Sequence, residues 1–98
     1  MEKRIPHCKL NLVKTIASAG KVRTTQQARH GASSLGMTFS DMVDVVMSLE
    51  STDFYKSMTT NLDSKIWQDV YRPSTKAGLV YLKLTVIEDV LIVSFKEL

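Results

Sequence analysis

A strict alternation of side chains between residues 78 and 87 constrains the fold of this chain more than any other feature. The even positions from Val80 to Val86 are all aliphatic, whereas the odd positions between them are Tyr81, Lys83 and Thr85. Successive side chains of a β-strand point to opposite faces of the sheet. The pattern therefore predicts a strand with one face against a hydrophobic core and the other face free for chemistry or contact.

Three more strands are predicted in the same region, which runs from residue 53 to residue 98. Together with the first strand, the candidates are Asp53–Thr60, Ile66–Pro73, Gly78–Ile87 and Val90–Leu98. Short segments of turn residues separate them, at 61–65, at 74–78 and at Glu88–Asp89. Because these connections are short, antiparallel pairing is the simplest arrangement of the strands.

Residues 1–52 are predicted to be mainly helical and to cover the apolar face of this sheet. Lys9–Ala19 carries apolar residues at helical spacing and is followed by Gly20, which suits a left-handed cap. Lys21–Arg23 is too short to assign, although it can add a small edge strand. The predicted fold class is α+β, an antiparallel β-sheet with helices packed on one face.

Two further helices are predicted between residues 24 and 49. The threonine and glutamine that bound Thr24–Gln27 form a capping-box pattern, which predicts the start of a second helix. Gly31 weakens this helix by about 1 kcal/mol relative to alanine, so we expect it to be thin and partly exposed. Ser40 is the predicted cap of a third helix. The apolar stripe of the third helix is the best candidate to pack on the sheet, and its members are Met42, Val45, Val46 and Leu49.

The length and composition fit one domain of 98 residues without a linker. Cys8 is the only cysteine, so no internal disulfide can form, which suits a reducing cytoplasm. No apolar run is long enough to span a membrane, and the N-terminal residues lack the apolar stretch of a signal peptide. We therefore expect a single cytoplasmic domain, helical in residues 1–52 and folded as a sheet in residues 53–98.

Positive charge is concentrated in the first third of the chain. Residues 1–30 hold seven lysines and arginines against one acidic residue, Glu2, whereas residues 53–98 hold six residues of each sign. A basic segment of this kind can attract a polyanion. An ordinary solvated helix surface is the simpler interpretation of the charge taken alone.

The side chains that most often carry chemistry form no familiar motif. His7, Cys8 and His30 match no zinc-binding spacing, so we predict neither a metal site nor a cofactor. The glycines form no phosphate-binding loop, and no serine lies in a nucleophile elbow. Polar residues within the predicted strands remain as candidates, namely Lys56, Gln68, Arg72, Tyr81, Lys83 and Lys96. Alternation places Tyr81 with Lys83, but the faces of Lys56 and Lys96 depend on a register that the sequence does not give.

The strand region closely resembles the MqsR family, the motility quorum-sensing regulator toxins of type II toxin–antitoxin pairs. The resemblance covers the whole chain and is weakest in the helical stretch Gln26–Leu49. The blocks that carry it are Asp53–Thr60, Ile66–Pro73, Val80–Lys83 and Asp89–Lys96, with Met1–Arg4, Pro6–His7 and Val22–Thr25. The resemblance implies a RelE-like bacterial ribonuclease fold. It also implies a sequence-selective endoribonuclease that cuts mRNA at GC-containing sites without the ribosome and without a metal.

The resemblance also assigns the site. It places the family's active site on Lys56, Gln68, Tyr81 and Lys96. Arg72 and Lys83 then add electrostatic hold on RNA. The aromatic residues Tyr55, Trp67 and Tyr71 are candidates to stack on unpaired bases, and core packing is the alternative for each of them.

The implied partners are the mRNA substrate and a cognate antitoxin, a zinc-containing MqsA-type protein with a DNA-binding domain. Contact with DNA would then be indirect, through the antitoxin. An alternative function of a different class stays open, a non-catalytic RNA- or protein-binding module that uses the basic segment and the polar sheet face. The two differ in one result, because a nuclease degrades the RNA that a binding module leaves intact.

Overall fold

Three helices and seven strands make up the fold in the computed structural model, which describes residues 1–60, 62–63 and 65–98. The helices are α1 (Leu10–Ser18), α2 (Gln26–Ser34) and α3 (Phe39–Ser48). The strands are β1 (Glu2–Lys3), β2 (Val22–Thr24), β3 (Phe54–Thr59), β4 (Trp67–Tyr71), β5 (Ser74–Thr75), β6 (Gly78–Ile87) and β7 (Asp89–Glu97). Within these ranges, no helix has the length and apolar character needed to cross a membrane.

The four predicted strands are confirmed as β3, β4, β6 and β7. Their ends agree with the sequence to within two residues, and β6 agrees at both ends. The predicted turn at 74–78 contains the two-residue strand β5, which pairs with the start of β6. Of the predicted turn at 61–65, Asn61 and Ser64 lie outside the described residues.

The sheet has the strand order β1-β3-β4-β6-β7-β2, with β5 paired beside β6. The short segment around Lys21–Arg23 does form an edge strand, β2, but this strand runs parallel to β7. The other strand pairs are antiparallel, so the expectation of an antiparallel sheet holds except at this edge. A parallel pair needs a long crossover, and the chain between β2 and β7 contains two helices and most of the sheet.

The hydrophobic core lies between the three helices and one face of the sheet. Val80, Leu82 and Leu84 of β6 are completely buried there, as their alternation predicts. The third helix contributes its predicted apolar stripe, since Met42 and Val46 are also completely buried. The arrangement confirms the α+β class, with helices on the apolar face of a mostly antiparallel sheet.

The second helix packs more closely than the sequence suggests. Ala28 and Ala32 are completely buried, whereas Gln26, Gln27, Arg29, His30, Ser33 and Ser34 are exposed, so the expectation of a thin, partly exposed helix is confirmed. A Cβ atom added at Gly31 would overlap the carbonyl oxygen of Phe95 in β7. Gly31 therefore lets the helix backbone touch the strand, which explains a residue that helix propensity alone disfavours.

The two predicted N-terminal helix caps are wrong by one and two residues. Thr25, not Thr24, caps α2, because its hydroxyl accepts a hydrogen bond from the amide of Ala28 at 3.0 Å. Thr24 belongs instead to β2. The cap of α3 is Thr38, not Ser40.

Thr38 and Asp41 form a reciprocal capping box at the start of α3. The amide of Asp41 donates to Oγ1 of Thr38 at 3.1 Å, and the amide of Thr38 donates to Oδ2 of Asp41 at 2.8 Å. These two bonds lower the number of unpaired amides in the first turn. The bond from the Thr38 amide to the Asp41 carboxylate, together with one from Lys76, lowers the pKa of Asp41.

Candidate active site

Cross-strand pairing brings polar residues into a row on the face of the sheet that points away from the helices. Lys56 of β3 lies opposite Val70 of β4, Val70 lies opposite Lys83 of β6, and Lys83 lies opposite Ser94 of β7. Residues directly opposite each other in a sheet share a face. The row therefore crosses four strands, and we call this side of the sheet the open face.

A second row completes the set of predicted catalytic residues. Tyr81 is two residues from Lys83 on β6 and lies opposite Lys96 on β7. Gln68 is two residues from Val70 on β4, so the pleat gives it the same face. Lys56, Gln68, Tyr81 and Lys96 thus share the open face.

A β-bulge in β3 decides the face of Lys56. Phe54 pairs with Tyr71, which is buried in the core, and the register shifts between Phe54 and Lys56. In a regular strand Phe54 and Lys56 would point to the same side. The extra residue, Tyr55, turns Lys56 to the open face, which is the way that bulges re-aim a side chain beside a functional site.

A second bulge, in β7, does the same for Lys96. Ile92 pairs with Leu84 on the core side, whereas Ser94 pairs with Lys83 on the open face, so that residue 93 is the extra one. Simple alternation from the buried Ile92 would turn Lys96 toward the helices. Both lysines of the predicted site therefore owe their position to a local irregularity that a period of two does not reveal.

The ring of Tyr55 lies among cations at the edge of the open face. Its centroid is 3.7 Å from Cζ of Arg72, 5.3 Å from Nζ of Lys56 and 5.5 Å from Cζ of Arg4. All three are cation–π distances. Tyr55 and Arg72 are predicted RNA contacts, whereas Arg4 was missed because no sequence pattern brings residue 4 beside residue 55.

Glu2 forms an ion pair with Lys56, and sequence reasoning missed it. Nζ of Lys56 donates to Oε2 of Glu2 at 2.6 Å. Glu2 lies opposite Met58, so its carboxylate reaches Lys56 along the diagonal between β1 and β3. This hydrogen bond raises the pKa of Lys56 and lowers the pKa of Glu2. Lys56 is therefore a cation at neutral pH. Sequence reasoning missed Glu2 because β1, with two residues, is too short to show a periodic pattern.

Lys83 and Lys96 extend the positive charge toward β7. Burial lowers the pKa of Lys83, and the neighbouring Lys96 ammonium lowers it further. Nζ of Lys96 lies 5.2 Å from the ring centroid of Tyr81. Val70 is completely buried although it lies on the open face, between its cross-strand neighbours Lys56 and Lys83.

A sheet face with this set of lysines, an amide and a phenol can bind a phosphate and supply a proton to it. Residues 5–97 match the family described as "Motility quorum-sensing regulator, toxin of MqsA". Over 97 residues the chain is 59% identical to "mRNA interferase toxin MqsR" of Escherichia coli (strain K12), an alignment that covers 99% of each chain. The chain belongs to the MqsR toxin family.

The strand register places the four residues that the resemblance selects on one face of the sheet. The resemblance selects them by sequence, whereas the register brings them to one face through pairings that involve β3, β4, β6 and β7. Tyr81 is half-buried and is not enclosed by aliphatic side chains of the core. The shared face and the accessible phenol are compatible with a common site on these residues.

Two aromatic residues proposed to stack on RNA bases do not lie on the open face. Tyr71 is completely buried in the core, where its ring packs edge-on against Phe54 at 5.5 Å, and burial raises the pKa of its phenol. Trp67 lies on the same side of β4 as Tyr71, with its ring 5.7 Å from that of His7 and 4.1 Å from Nζ of Lys3. For Tyr71 the stacking prediction is wrong and core packing is confirmed, whereas Trp67 is half-buried on the side of β4 opposite to Gln68.

The two histidines and the cysteine lie in different parts of the fold. The amides of His7 and Cys8 donate to the two carboxylate oxygens of Asp69, at 2.9 and 3.0 Å, on the helix side of the sheet. His30 lies with Lys96 in the lining of a cavity of about 480 Å³ between α2 and β7. In the part of the chain that the structure describes, no three His, Cys, Asp or Glu side chains come together to hold a metal.

Proposed function

We propose that this chain is the toxin of a type II toxin–antitoxin pair and an endoribonuclease that cleaves mRNA on the open face. The observation that carries the proposal is the presence of Lys56, Gln68, Tyr81 and Lys96 on one face, in a member of the MqsR toxin family. The E. coli relative bears the name mRNA interferase, and we extend that activity to this chain on the basis of 59% identity.

The chemistry of the proposed reaction is attack of the ribose 2′-hydroxyl on the adjacent phosphorus. The 2′-hydroxyl loses its proton to water, its oxygen forms a bond to phosphorus, the bond to the 5′-oxygen breaks, and a second proton must reach the departing oxygen. The products are a 2′,3′-cyclic phosphate and a 5′-hydroxyl. The protein must neutralise charge on the pentavalent phosphate and provide that proton, and a metal is not needed for either task.

Lys56 serves as a fixed positive charge on the phosphate. Its ion pair with Glu2 raises its pKa, which rules against a neutral amine acting as a base near pH 7. A well-aimed donor to a developing anion is typically worth about 10²–10³ in rate. Tyr81 donates the proton to the leaving oxygen, and Lys96, close to its ring, adds positive charge.

Gln68 and Tyr55 position the RNA. An amide side chain does not exchange protons at these pH values, so Gln68 hydrogen-bonds a phosphate oxygen or a base edge. The Tyr55 ring packs against the guanidinium of Arg72 and offers a surface for an unpaired base of single-stranded RNA. Selection of GC-containing sites and independence from the ribosome belong to the same proposal.

The proposed partner is a cognate antitoxin that holds the toxin inactive. Any zinc of the pair belongs to the antitoxin, and contact with DNA occurs through its DNA-binding domain. The toxin then acts in the cytoplasm, where its mRNA substrate is found. The family description, which names a toxin of MqsA, supports this part of the proposal.

Paired substitutions test the roles of Lys56 and Tyr81. We expect Lys56→Ala to slow cleavage of a defined RNA by at least about 10²-fold, because it removes a donor to the phosphate. Lys76→Ala is the matched control, since Lys76 also pairs with a carboxylate, Asp41, at 3.3 Å, but on the helix side. Tyr81→Phe should likewise stop cleavage, whereas Tyr71→Phe removes a phenol from the core and should not.

Normal cleavage by both Lys56→Ala and Tyr81→Phe would refute the assignment of the site. End-labelling of the products gives a second result, a 2′,3′-cyclic phosphate and a 5′-hydroxyl, and cleavage in excess chelator should proceed at the same rate. A strong requirement for added magnesium would refute the metal-independent mechanism. Tight, salt-dependent binding of an RNA that stays intact would instead favour the binding module.

A further inference from the structure

We propose that Glu2 is a positioning residue of this site, which holds the Lys56 ammonium in place over the open face and yields it to the scissile phosphate. The proposal rests on the proposed function, because it names RNA phosphate as the group that replaces the carboxylate. The direct observation is the ion pair between Oε2 of Glu2 and Nζ of Lys56 at 2.6 Å. Charge-assisted hydrogen bonds of this length are among the stronger ones in proteins.

The two partners of this ion pair differ in exposure, which decides which one moves. The Lys56 side chain is 18% exposed, whereas the Glu2 side chain is 47% exposed. Lys56 also lies opposite the completely buried Val70 in the sheet, so its less exposed side chain has less room to move than that of Glu2. The carboxylate can rotate into water at small cost and leave the ammonium free for a ligand.

A phosphodiester suits the position that Glu2 vacates. Both groups carry one negative charge and present oxygen acceptors to the same ammonium. Within the described ranges, no Asp or Glu side chain forms an ion pair with Arg72, Lys83 or Lys96. In the described part of the chain, Glu2 is thus the one carboxylate that forms an ion pair with a cation of the open face.

The electrostatic surroundings of Lys56 support a holding role over a proton-transfer role for Glu2. A carboxylate with a lowered pKa is a poor general base near pH 7. Its presence raises the pKa of Lys56 and so keeps the ammonium charged before RNA arrives. The charged and titratable groups that face Lys56 are Glu2 from β1, Tyr55 from its own strand, Tyr81 from β6, and Arg4 and Arg72 across the Tyr55 ring.

Steady-state cleavage of a defined RNA by Glu2→Gln tests the proposal. We expect kcat to fall about tenfold, because the ammonium is less well placed when its partner is lost. KM should fall about two- to fivefold, since the RNA phosphate no longer competes with a carboxylate for the Lys56 ammonium. The alkaline limb of the kcat/KM profile, which reports the free enzyme, should move to lower pH, because Lys56 loses the group that favours its charged form before RNA binds.

Glu88→Gln is the matched control. Glu88 is exposed in the turn between β6 and β7, so this change removes the same charge at a distance from Lys56. It should match the wild type in kcat, KM and pH profile. If Glu2→Gln also matches the wild type in kcat and pH profile, the proposal is wrong even though the wild type cleaves RNA.

A binding measurement separates this proposal from the proposed function. Cleavage by the wild-type protein tests the proposed function, whereas affinity for an uncleavable 2′-deoxy copy of the RNA tests the competition at Lys56. Fluorescence anisotropy should give tighter binding by Glu2→Gln than by the wild type. Weaker binding with a lower Tm would mean that Glu2 only stabilises the fold, and would overturn the proposal.

Discussion

At the residue scale, two phenols in neighbouring strands have opposite environments. The hydroxyl of Tyr71 is buried and finds no hydrogen-bond partner in the described ranges of the chain. The hydroxyl of Tyr81 belongs to a half-buried residue on the open face. Alternation within each strand separates them, so the same side chain serves the core in one case and the candidate site in the other.

This difference predicts opposite results for two conservative substitutions. Tyr71→Phe should raise the free energy of unfolding by about 1 kcal/mol, because it removes a buried polar group that makes no hydrogen bond. Tyr81→Phe should change stability by less than about 0.5 kcal/mol, as for most surface changes, while stopping cleavage. Urea denaturation measures both values. A loss of stability in Tyr71→Phe would mean that its hydroxyl has a partner in solution.

The alternation of side chains predicts the correct face for residues in regular strands and the wrong face for residues beyond a bulge. The alternation in β6 correctly separates Tyr81 and Lys83 from the aliphatic core residues. The same rule applied to β3 and β7 would send Lys56 and Lys96 into the core. Bulges arise from the fit between strands rather than from a pattern along one strand, so single-sequence reasoning leaves their positions open.

At the element scale, the contact between α2 and β7 depends on Gly31. A side chain at this position has no room, because its first carbon would overlap the carbonyl oxygen of Phe95. Helix propensity was the only information available from the sequence, and it presents this glycine as a defect. The same glycine fixes how near the helix lies to the strand that carries Lys96.

Gly31→Ala therefore separates the two explanations. Propensity alone predicts that alanine stabilises the protein by about 1 kcal/mol. The structure predicts the opposite, a loss of about 1–3 kcal/mol, because the helix must move away from β7. Ser33→Ala is the matched control on an exposed position of α2. Urea denaturation of both variants measures the change in the free energy of unfolding. A gain of stability in Gly31→Ala would refute the close packing of α2 on β7.

At the scale of the whole molecule, Asp69 connects the first residues of the chain to the middle of the sheet. Its buried carboxylate accepts the amides of His7 and Cys8 on the helix side of β4. The segment that it holds follows β1, the strand that carries Glu2, by a few residues. No sequence motif predicts this contact, because His7, Cys8 and Asp69 come close together only after the sheet has formed.

Asp69→Asn should disconnect this segment. One carboxylate oxygen would be replaced by an amide NH₂, which cannot accept a hydrogen bond, so we expect a loss of about 1.5–3 kcal/mol. Asp44→Asn, on an exposed position of α3, is the control and should have little effect. Urea denaturation measures the change, and hydrogen exchange at His7 and Cys8 reports whether the segment is released. Unchanged stability and unchanged exchange would contradict this role.

The position of β7 has a consequence for the order in which the molecule is assembled. This strand pairs with both β6 and β2 and packs against α1 and α2, yet it lies at the far end of the sequence. Contacts between such distant segments form slowly, because a long loop must close before any contact is gained. A nascent chain would therefore carry helices with exposed apolar faces, without the lysine from β7 in its site, until β7 has been translated.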